Sequence, residues 1–417
     1  MTSTSRTTSL GYLVPEFPGQ THAFFWREVE ALESAGTAVD IVSTSRPATG
    51  IVHRWGPDAV ARTTYLSRPG PGEIVGAVRI LARAAMTGRL RDAVRRVGPG
   101  PLPERGKVLL AAALLANRSR HQGWAHVHVH SCANSARVAM VAAALDALTY
   151  SLTLHSPLAD YGTQQAEKWR HAQFGLVITE QLRHDLASTH GPDIAGRAQL
   201  APMGIRLADT ERRSPYRPWE GTGDALLFSC GRLNPAKGHA TLIRAVRLLL
   251  DEGIPVRLAI AGEDEEGGRG YRHALALLIG DLDLDDHVRL LGAVGEHLVR
   301  GYLEEAHVFV LASRGEPLGV AIMEAMGAAV PAIVCDGGGV RELIVPGTGV
   351  LVPPAEPRAL ADAVRDLLQA PDQARAIGER GRERVRARFT SESGARVLMA
   401  AVDALPRKGG TDDADIR

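Results

Sequence analysis

The sequence predicts an α/β protein made of two doubly wound domains, each a parallel sheet covered by helices. Short apolar runs typical of buried strands alternate with helical stretches, and this alternation occurs in two rounds. The chain has 417 residues, more than a single hydrophobic core usually serves. In the second round, two charged blocks each directly follow a strand, where open α/β sheets bind ligands.

The composition is that of a globular protein of a reducing compartment. Apolar residues make up 45% of the chain and charged residues 23%. The three cysteines, Cys132, Cys230 and Cys335, are far apart, which argues against a disulfide framework and against a zinc cluster. No basic and apolar leader opens the sequence, and the longest apolar run, 108–116, is half of the ~20 residues that span a bilayer. We therefore expect a cytoplasmic protein without a membrane-spanning segment.

The net charge of +1 conceals an uneven distribution. Residues 1–205 carry 21 Lys and Arg against 15 Asp and Glu, and the remainder carries 27 against 32. Residues 77–120 alone hold ten basic and two acidic side chains. This segment indicates either a surface that attracts anionic lipid or an acidic substrate, or a solvated helical face in an arginine-biased protein. Nucleic acid is disfavoured as a partner, because no aromatic residues lie between the arginines.

In the first round, the residues after the opening strands are mostly helical and basic over 72–122. A helix over 24–35 ends at Gly36. Pro, Arg and Gly are concentrated in 206–223, which is typical of a linker. The predicted strands are 10–15, 39–44, 126–130, 150–155 and 176–179.

The second round is more regular and ends in a charged helical stretch over 358–388. Its tail, 408–417, is polar and expected to be disordered. The predicted strands are 225–230, 256–261, 287–291, 307–312, 331–335 and 349–352. The predicted domains are 1–205, a linker over 206–223, 224–390, and a C-terminal helix with a polar tail over 391–417.

The first charged block runs from Gly231 to Gly238 and opens onto a helix that begins near His239. Glycine lets the backbone approach a phosphate, and a helix N-terminus offers free N–H groups. Arg232 is suited to fork onto a diphosphate, and Lys237, one of four lysines in the chain, supplies a point charge. The alternative is an ordinary turn with two solvated cations. The block is neither a Walker A loop nor a dinucleotide fingerprint.

The second block contains Glu316 and Glu324, with Gly319 expected to open a helix between them. In this arrangement Glu316 bonds sugar hydroxyls, Glu324 bonds ribose hydroxyls, and the backbone N–H groups of Gly319 and Val320 bind phosphate oxygens. The alternative is a solvated loop glutamate and a helix glutamate paired with an arginine.

Three further patterns are weaker. His126, His128 and His130 alternate on a strand and so share one face, which suits a metal or, more simply, packing with His130 turned to an acceptor. Asp281, Asp283 and Asp285 match a DxD metal motif but occupy a helix–strand connection. The aromatic stretch 24–26 beside His22 suits either a stacked acceptor or the core.

With both blocks in order, the chain resembles the retaining family-4 glycosyltransferases of the GT-B fold, in which two Rossmann-like domains face a central cleft. The opening residues 14–32 look like the subgroup involved in exopolysaccharide synthesis. The segments that carry the resemblance are GRLNPAKG (231–238), AGEDEE (261–266), VRLLGAV (288–294), 308–334, GGGVRELI (337–344) and GVLVPP (349–354), with TLHSPLADYG (153–162), ITEQLRHDL (178–186) and APMGI (201–205) in the first half.

The resemblance implies roles for individual residues. Arg232 and Lys237 hold the donor diphosphate, Glu316 the donor sugar and Glu324 the ribose, while His155 points at the sugar and the reacting centre. The remaining donor-binding residues are Gly231, Leu318, Gly319 and Val320, and the expected acceptor-binding residues are Gln20, His22 and His130. Two departures concern acceptor and sugar identity: Pro18-Gly19-Gln20 replaces a Gly-Gly loop, and Pro317 stands where glycine is commoner.

The implied function is transfer of a sugar, with retention, from a nucleotide-diphosphate sugar to a hydroxyl acceptor in exopolysaccharide or cell-envelope glycan synthesis. UDP or GDP is the expected nucleotide, and neither a cofactor, a metal nor a protein general base is expected. The acceptor is a glycan, a lipid-linked precursor or a small molecule, and the basic first domain is a candidate for peripheral contact with the inner membrane face. The alternatives are tailoring of a secondary metabolite, nucleotide-sugar 2-epimerisation, and non-catalytic binding of a nucleotide sugar.

Overall fold

The structure is a computed structural model that describes residues 8–47, 53–264 and 270–406. Two compact units divide it. The first comprises the described residues before 48, residues 56–201 and residues 394–406, and the second comprises 53–55 and the described residues of 202–393. The predicted α/β class with two doubly wound domains is confirmed.

The first unit contains, within the described residues, a seven-stranded parallel sheet in the order β3-β2-β1-β4-β5-β6-β7. Its strands are β1 Ser9–Glu16, β2 Ala38–Ser45, β3 Thr64–Tyr65, β4 His126–Val129, β5 Tyr150–Leu154, β6 Gly175–Val177 and β7 Ala198–Leu200. Its helices are α1 Ala23–Ser34, α2 Gly56–Arg62, α3 Pro71–Met86, α4 Arg89–Val97, α5 Leu102–Gln122, α6 Asn134–Asp146, α7 Gln165–His171, α8 Glu180–His190 and α9 Pro192–Ala195.

The two central strands β4 and β5 are buried along their whole length, as expected where helices cover both faces of a parallel sheet. The imidazoles of β4 are accommodated by hydroxyl groups of β5. Ser151 Oγ lies 2.8 Å from His126 Nε2 and 2.7 Å from His128 Nδ1, and Thr153 Oγ1 lies 2.8 Å from His128 Nε2. Burial lowers the pKa of His128 well below its usual value. The interpretation of His126 and His128 as packed, hydrogen-bonded residues is confirmed.

The second unit contains a six-stranded parallel sheet in the part of it that is described, in the order β10-β9-β8-β11-β12-β13. Its strands are β8 Ala225–Cys230, β9 Val256–Ala261, β10 Val288–Gly292, β11 Val308–Leu311, β12 Ala332–Cys335 and β13 Val350–Val352. Its helices are α10 His239–Asp251, α11 Tyr271–Asp281, α12 Glu296–Glu305, α13 Val320–Gly327, α14 Val340–Leu343, α15 Pro357–Leu368 and α16 Pro371–Arg388. The last helix, α17 Ser391–Asp403, begins in the second unit and belongs to the first unit from Gly394 onward. All six predicted strands are confirmed to within a residue or two.

The predicted helical stretch over 358–388 is confirmed, and it consists of two helices. α15 ends at Leu368, and α16 begins with Pro371 as its first residue. Proline lacks the N–H group that would continue the helix and disfavours helical geometry in Ala370 before it.

The predicted linker over 206–223 is folded onto the second unit. Arg212 donates to the carbonyl oxygens of Leu303 and Glu304 at 2.7 and 2.6 Å, and the buried Tyr216 donates to that of His307 at 2.7 Å. Residues 265–266 of the AGEDEE segment and the tail 408–417 lie outside the described residues.

The strand order of each sheet reverses direction once. The candidate site residues follow the strands on either side of this reversal. In the second unit the chain leaves β8 toward β9 and β10, then returns to β11 on the other side of β8. The chain therefore continues from β8 and from β11 toward opposite edges of the sheet, an arrangement that leaves a crevice at the carboxyl ends of these two strands. In the first unit the same reversal lies between β1 and β4.

Candidate functional site

The loop after β8 is a tight turn held by its own side chains. Asn234 Oδ1 accepts a hydrogen bond from the Lys237 N–H at 3.1 Å, which caps a short 3-10 helix, Pro235–Lys237. Gly238 follows with φ +68°, in the left-handed region, and α10 begins after it. A Cβ atom on Gly238 would lie 1.9 Å from the Ala312 carbonyl oxygen, so only glycine fits where this loop meets the end of β11.

The loops after β8 and β11 meet through an ion pair. Lys237 Nζ lies 2.5 Å from Glu316 Oε2, with 18% and 11% of the two side chains exposed. The two charged blocks singled out in the sequence thus converge at the reversal of strand order. The predicted donor residues Lys237 and Glu316 are thus in direct contact.

The backbone of Glu316 is fixed by the glycine-rich loop after β12. Its N–H donates to the Gly337 carbonyl at 3.0 Å, and its carbonyl accepts from the Gly339 N–H at 2.9 Å. Gly338 has φ +76°, and a Cβ there would lie 2.5 Å from the Glu316 carbonyl oxygen. These backbone contacts of the glycine-rich loop therefore position Glu316.

The segment after Glu316 leads into the start of α13. Leu318 is buried, Gly319 precedes the helix and Val320 is its first residue, so unpaired N–H groups of the first turn lie near Glu316. Glu324 is the fifth residue of α13 and is half-buried. Burial raises the pKa of the Cys230 thiol to about 12, and the charge of Glu324 contributes to this rise.

Arg232 is exposed on the loop after β8, next to Gly231. Its carbonyl oxygen lies 3.3 Å from Nε2 of His239, the buried first residue of α10. Burial lowers the pKa of His239 to about 4, so the imidazole is neutral at pH 7 and donates from Nε2. Sequence reasoning did not single out His239 as a support of this loop. Its position directly after Gly238, at a helix start, was the available signal.

The arrangement of the second unit suits a ligand with a diphosphate and a hydroxyl-rich group. Arg232 and Lys237 supply positive charge, and the N-termini of α10 and α13 supply N–H groups and positive dipole ends. Glu316 and Glu324 supply hydroxyl acceptors within the same crevice.

In the first unit, the predicted residues also lie where parallel strands end. His130 follows β4 and His155 follows β5, and Nδ1 of the former lies 3.1 Å from Nε2 of the latter. Burial lowers the pKa of both imidazoles to about 3. The rings of Phe24 and Phe25 lie 5.4 and 5.7 Å from that of His155, between ring centroids.

The remaining predicted acceptor residues lie on the loop after β1. Gln20 and His22 are both half-buried, and the His22 ring lies 5.2 Å from that of Phe25. The side chain of His130 is only 3% exposed and is surrounded by protein groups. Contact of an acceptor with these three residues stays a prediction.

The sequence patterns that suggested metal binding do not form a metal-binding cluster within the described residues. No group of three or more His, Cys, Asp and Glu residues there is placed to hold a metal ion. Asp281 is the last residue of α11, and Asp283 and Asp285 lie between α11 and β10, in the helix–strand connection that the sequence indicated. None of the described helices is long and apolar enough to cross a bilayer.

Residues 217–384 match the family model described as Glycosyl transferases group 1. The alpha-D-kanosaminyltransferase of Streptomyces kanamyceticus is 32% identical over 222 residues, covering 52% of this chain and 56% of the relative. WcaL of Salmonella typhimurium (strain LT2), a putative colanic acid biosynthesis glycosyltransferase, is 23% identical over 420 residues, covering 95% of this chain and all of the relative. The match spans only 55–59% of the length of the first curated relatives.

Among solved structures, Anabaena Alr3699/HepE in complex with UDP and glucose aligns with a TM-score of 0.74 and 16% sequence identity. The alignment covers 96% of this chain and 100% of that protein. A likeness at this identity concerns the fold, and it confirms the predicted GT-B fold of two Rossmann-like domains.

Proposed function

We propose that this chain, whose residues 217–384 belong to the glycosyl transferases group 1 family, transfers a sugar from a nucleotide-diphosphate donor to a hydroxyl acceptor. The observation that carries the proposal is the Lys237–Glu316 pair, at the reversal of strand order and near two helix N-termini. These are the groups that a phosphate-linked sugar needs within one crevice.

In this proposal the donor replaces the ion pair with two new partners. The diphosphate takes the Lys237 ammonium and the Arg232 guanidinium, while sugar hydroxyls donate to the Glu316 carboxylate. The charges of Lys237 and Glu316 are therefore paired with each other before the donor binds and with the donor afterwards. Because neither charge is ever buried without a partner, the ion pair holds the site in shape with only a small electrostatic penalty. The ribose hydroxyls donate to Glu324.

The reaction we propose is front-face substitution with retention at the anomeric carbon. Positive charge on Arg232 and Lys237, with the dipoles of α10 and α13, stabilises the departing diphosphate, whose oxygen accepts the proton of the acceptor hydroxyl. No protein nucleophile, general base or metal ion is needed for this path. His155 stays the predicted contact of the donor sugar.

The pathway we favour is exopolysaccharide or cell-envelope glycan synthesis, supported by the alignment with WcaL over 95% of this chain. The kanosaminyltransferase favours tailoring of a secondary metabolite instead, but it aligns with only 52% of this chain. A 2-epimerase would convert the donor without an acceptor, and a non-catalytic protein would bind it unchanged.

The test is calorimetric titration of UDP, GDP, ADP and TDP into the full chain, followed by nucleotide release from the sugar donor of the base that binds. Lys237→Ala should weaken binding of the preferred nucleotide roughly tenfold or more, because it removes a charge-assisted bond worth about 1.5–3 kcal/mol. Arg213→Ala removes an equally positive, 88% exposed side chain of the same unit and serves as the matched control.

Binding of one nucleotide that Lys237→Ala loses and Arg213→Ala keeps supports the donor site. Equal loss in both variants, or no binding of any nucleotide, contradicts it. Released nucleotide together with a glycosylated acceptor identifies a transferase, and proton NMR of the product then reports the anomeric configuration. A converted donor sugar without acceptor identifies an epimerase.

We also propose that α3, α4 and the start of α5 rest on an anionic lipid surface. Seven of the nine exposed large apolar side chains of the described residues lie within 74–110. This segment also carries eight basic and two acidic residues. Ile74, Val78 and Met86 are spaced by four and eight residues, so they form one stripe along α3. An apolar stripe beside arginines is typical of a helix that lies in a membrane interface.

Flotation with vesicles of anionic or purely zwitterionic lipid tests this contact. We expect binding to anionic vesicles that falls with salt and with the double substitution Val78→Ser and Met86→Ser. Leu277→Ser and Leu298→Ser, at the two exposed apolar residues outside the segment, form the control. Equal flotation of all variants, or none of the wild type, would show that the stripe does not contact lipid.

A further inference from the structure

The segment that follows the glycine-rich loop after β12 is held by an arginine of α16. Arg384 donates from Nε to the Leu343 carbonyl oxygen at 2.6 Å and from Nη2 to that of Glu342 at 2.5 Å. These carbonyls belong to the last two residues of α14, and the last carbonyls of a helix have no partner within it. Arg384 therefore caps the C-terminus of α14.

α14 depends on such support because it is very short. It has four residues, whereas isolated helices shorter than roughly 12–15 residues are marginal in water. The Ile344 N–H closes its turn by donating to the Val340 carbonyl oxygen at 2.7 Å. Val340 and Leu343 are buried, so apolar packing and the two bonds from Arg384 together keep this turn formed.

Arg384 itself is held on a firmly packed helix. The backbone of α16 approaches the chain after α13 so closely that a Cβ atom on Gly378 would lie 2.1 Å from the Ala329 carbonyl oxygen. The Arg384 side chain is half-buried, and its Cζ lies 5.7 Å from the ring centroid of the buried Phe389, in cation–π contact. The guanidinium therefore has a defined position from which to hold α14.

α14 continues directly from the loop that fixes Glu316. Gly339 precedes the helix, and its N–H donates to the Glu316 carbonyl oxygen at 2.9 Å, while the Glu316 N–H donates to that of Gly337 at 3.0 Å. A shift of α14 would therefore move the groups to which the Glu316 backbone is bonded. The carboxylate of Glu316 in turn pairs with Lys237. Arg384 thus reaches the candidate site through one helical turn and two backbone hydrogen bonds.

We infer that Arg384 is a positioning residue, which holds α14 and the glycine-rich loop so that Glu316 is placed to bind hydroxyls of the donor sugar. The inference rests on the proposed function, in which Glu316 binds the sugar while Arg232 and Lys237 bind the diphosphate. Loss of Arg384 then weakens recognition of the sugar and leaves recognition of the nucleotide largely intact. Nothing in the sequence separates this residue from the other arginines of α16.

The first test needs no ligand. Amide hydrogen exchange, followed by NMR of the full chain, reports on the N–H groups of Glu316, Gly339 and Ile344. In Arg384→Met we expect all three to exchange about tenfold faster than in the wild type, the worth of roughly one hydrogen bond. Arg386→Met, at an exposed arginine of the same helix, is the matched control and should leave the three rates unchanged. Faster exchange at Ile344 alone would mean that Arg384 supports only α14, and it overturns the inference.

The second test separates the sugar from the nucleotide. The preferred nucleotide and its sugar donor are titrated in turn by calorimetry. Arg384→Met should bind the nucleotide much like the wild type but bind the sugar donor about tenfold more weakly. Arg384→Lys keeps the charge and is able to donate to one of the two carbonyls, so it should recover part of this loss. Arg386→Met should bind both ligands like the wild type.

An equal loss of affinity for both ligands in Arg384→Met, or no loss for either, overturns the inference. If Arg384→Met does not fold, Arg384→Lys decides by the same comparison, because it keeps the charge and one bond. If the wild type binds no nucleotide sugar, the proposed function fails, while the exchange rates of Glu316 and Gly339 still decide the positioning role.

Discussion

Replacement of Gly238 by alanine is expected to be among the most damaging single-methyl changes in the second unit. The residue has φ +68°, where an L-residue costs about 1–2 kcal/mol. The new Cβ would lie 1.9 Å from the Ala312 carbonyl oxygen, although real Cβ atoms do not approach closer than 3.0 Å. Moving backbone apart costs roughly 1–3 kcal/mol more. We therefore expect a loss of about 2–5 kcal/mol.

Gly231 provides the matched control on the same loop. A Cβ there would meet its nearest atom, Lys237 Cδ, at 3.7 Å, which is an ordinary van der Waals contact. Gly231→Ala should therefore change stability little, whereas Gly238→Ala should separate the loop from the end of β11.

Differential scanning calorimetry measures the difference. For a unit of this size, each kcal/mol lowers the melting midpoint by about 2–4 °C, so Gly238→Ala should melt roughly 4–20 °C lower in the transition of the second unit. Gly231→Ala should stay within about 2 °C of the wild type. Equal midpoints for the two variants would refute the argument that close backbone contact fixes this loop.

Three further outcomes follow from charge and burial. In a double-mutant cycle by calorimetry, Lys237→Met and Glu316→Gln should show a coupling of about 1 kcal/mol in the free energy of unfolding. The exposed Arg183–Glu180 pair should show a smaller coupling. Equal couplings for the two pairs would contradict the site geometry. Because burial lowers the pKa of His239 to about 4, the unfolded chain binds a proton below pH 6.5 that the folded chain refuses, so the free energy of unfolding should fall from pH 6.5 toward 4. In urea unfolding at a series of pH values, His239→Gln should reduce this slope by about 1.4 kcal/mol per pH unit, and an unchanged slope would mean that His239 is not buried neutral. Burial raises the pKa of Cys230 to about 12 and of Cys335 to about 11, so both thiols should react slowly with a disulfide reagent at pH 7.5 until the chain is unfolded. Cys335 is buried whereas Cys230 is half-buried, and rapid labelling of Cys335 in the native protein would contradict its burial.

The strands of the second unit could be predicted from sequence because they are short, mainly apolar and largely buried. The strands 225–230 and 256–261 are mainly apolar runs between glycines or polar turns, with Arg257 exposed in the second, and both were predicted with the observed bounds. The two-residue strand β3, by contrast, has no such pattern, because two residues carry no period. Pro371 is a sequence signal for the break between α15 and α16. The break was not predicted because the residues on both sides of Pro371 have the charged composition of helices.

The contacts within the candidate sites needed the strand order. The sequence placed Lys237 and Glu316 at strand ends, yet only the adjacency of β8 and β11 makes them partners. Glu28 lies on a helix about a hundred residues before His130 and shows no spacing that relates the two. The 2.9 Å distance between Glu28 Oε2 and His130 Nε2 depends on β1 and β4 being neighbours, which strand–helix alternation does not specify.

The C-terminal residues pack in the first unit, and this has a consequence for folding during synthesis. Residues 394–406 complete the first compact unit, whose preceding segment ends at residue 201. At 5–20 residues per second, the ribosome takes roughly 10–40 s to make the intervening stretch. During that time the first unit must persist with the surface for Leu398 and Val402 uncovered. The nascent chain is therefore expected to bind ribosome-associated chaperones. A stop codon shortly before residue 394 is expected to destabilise the first unit, although most of that unit is encoded almost two hundred codons upstream.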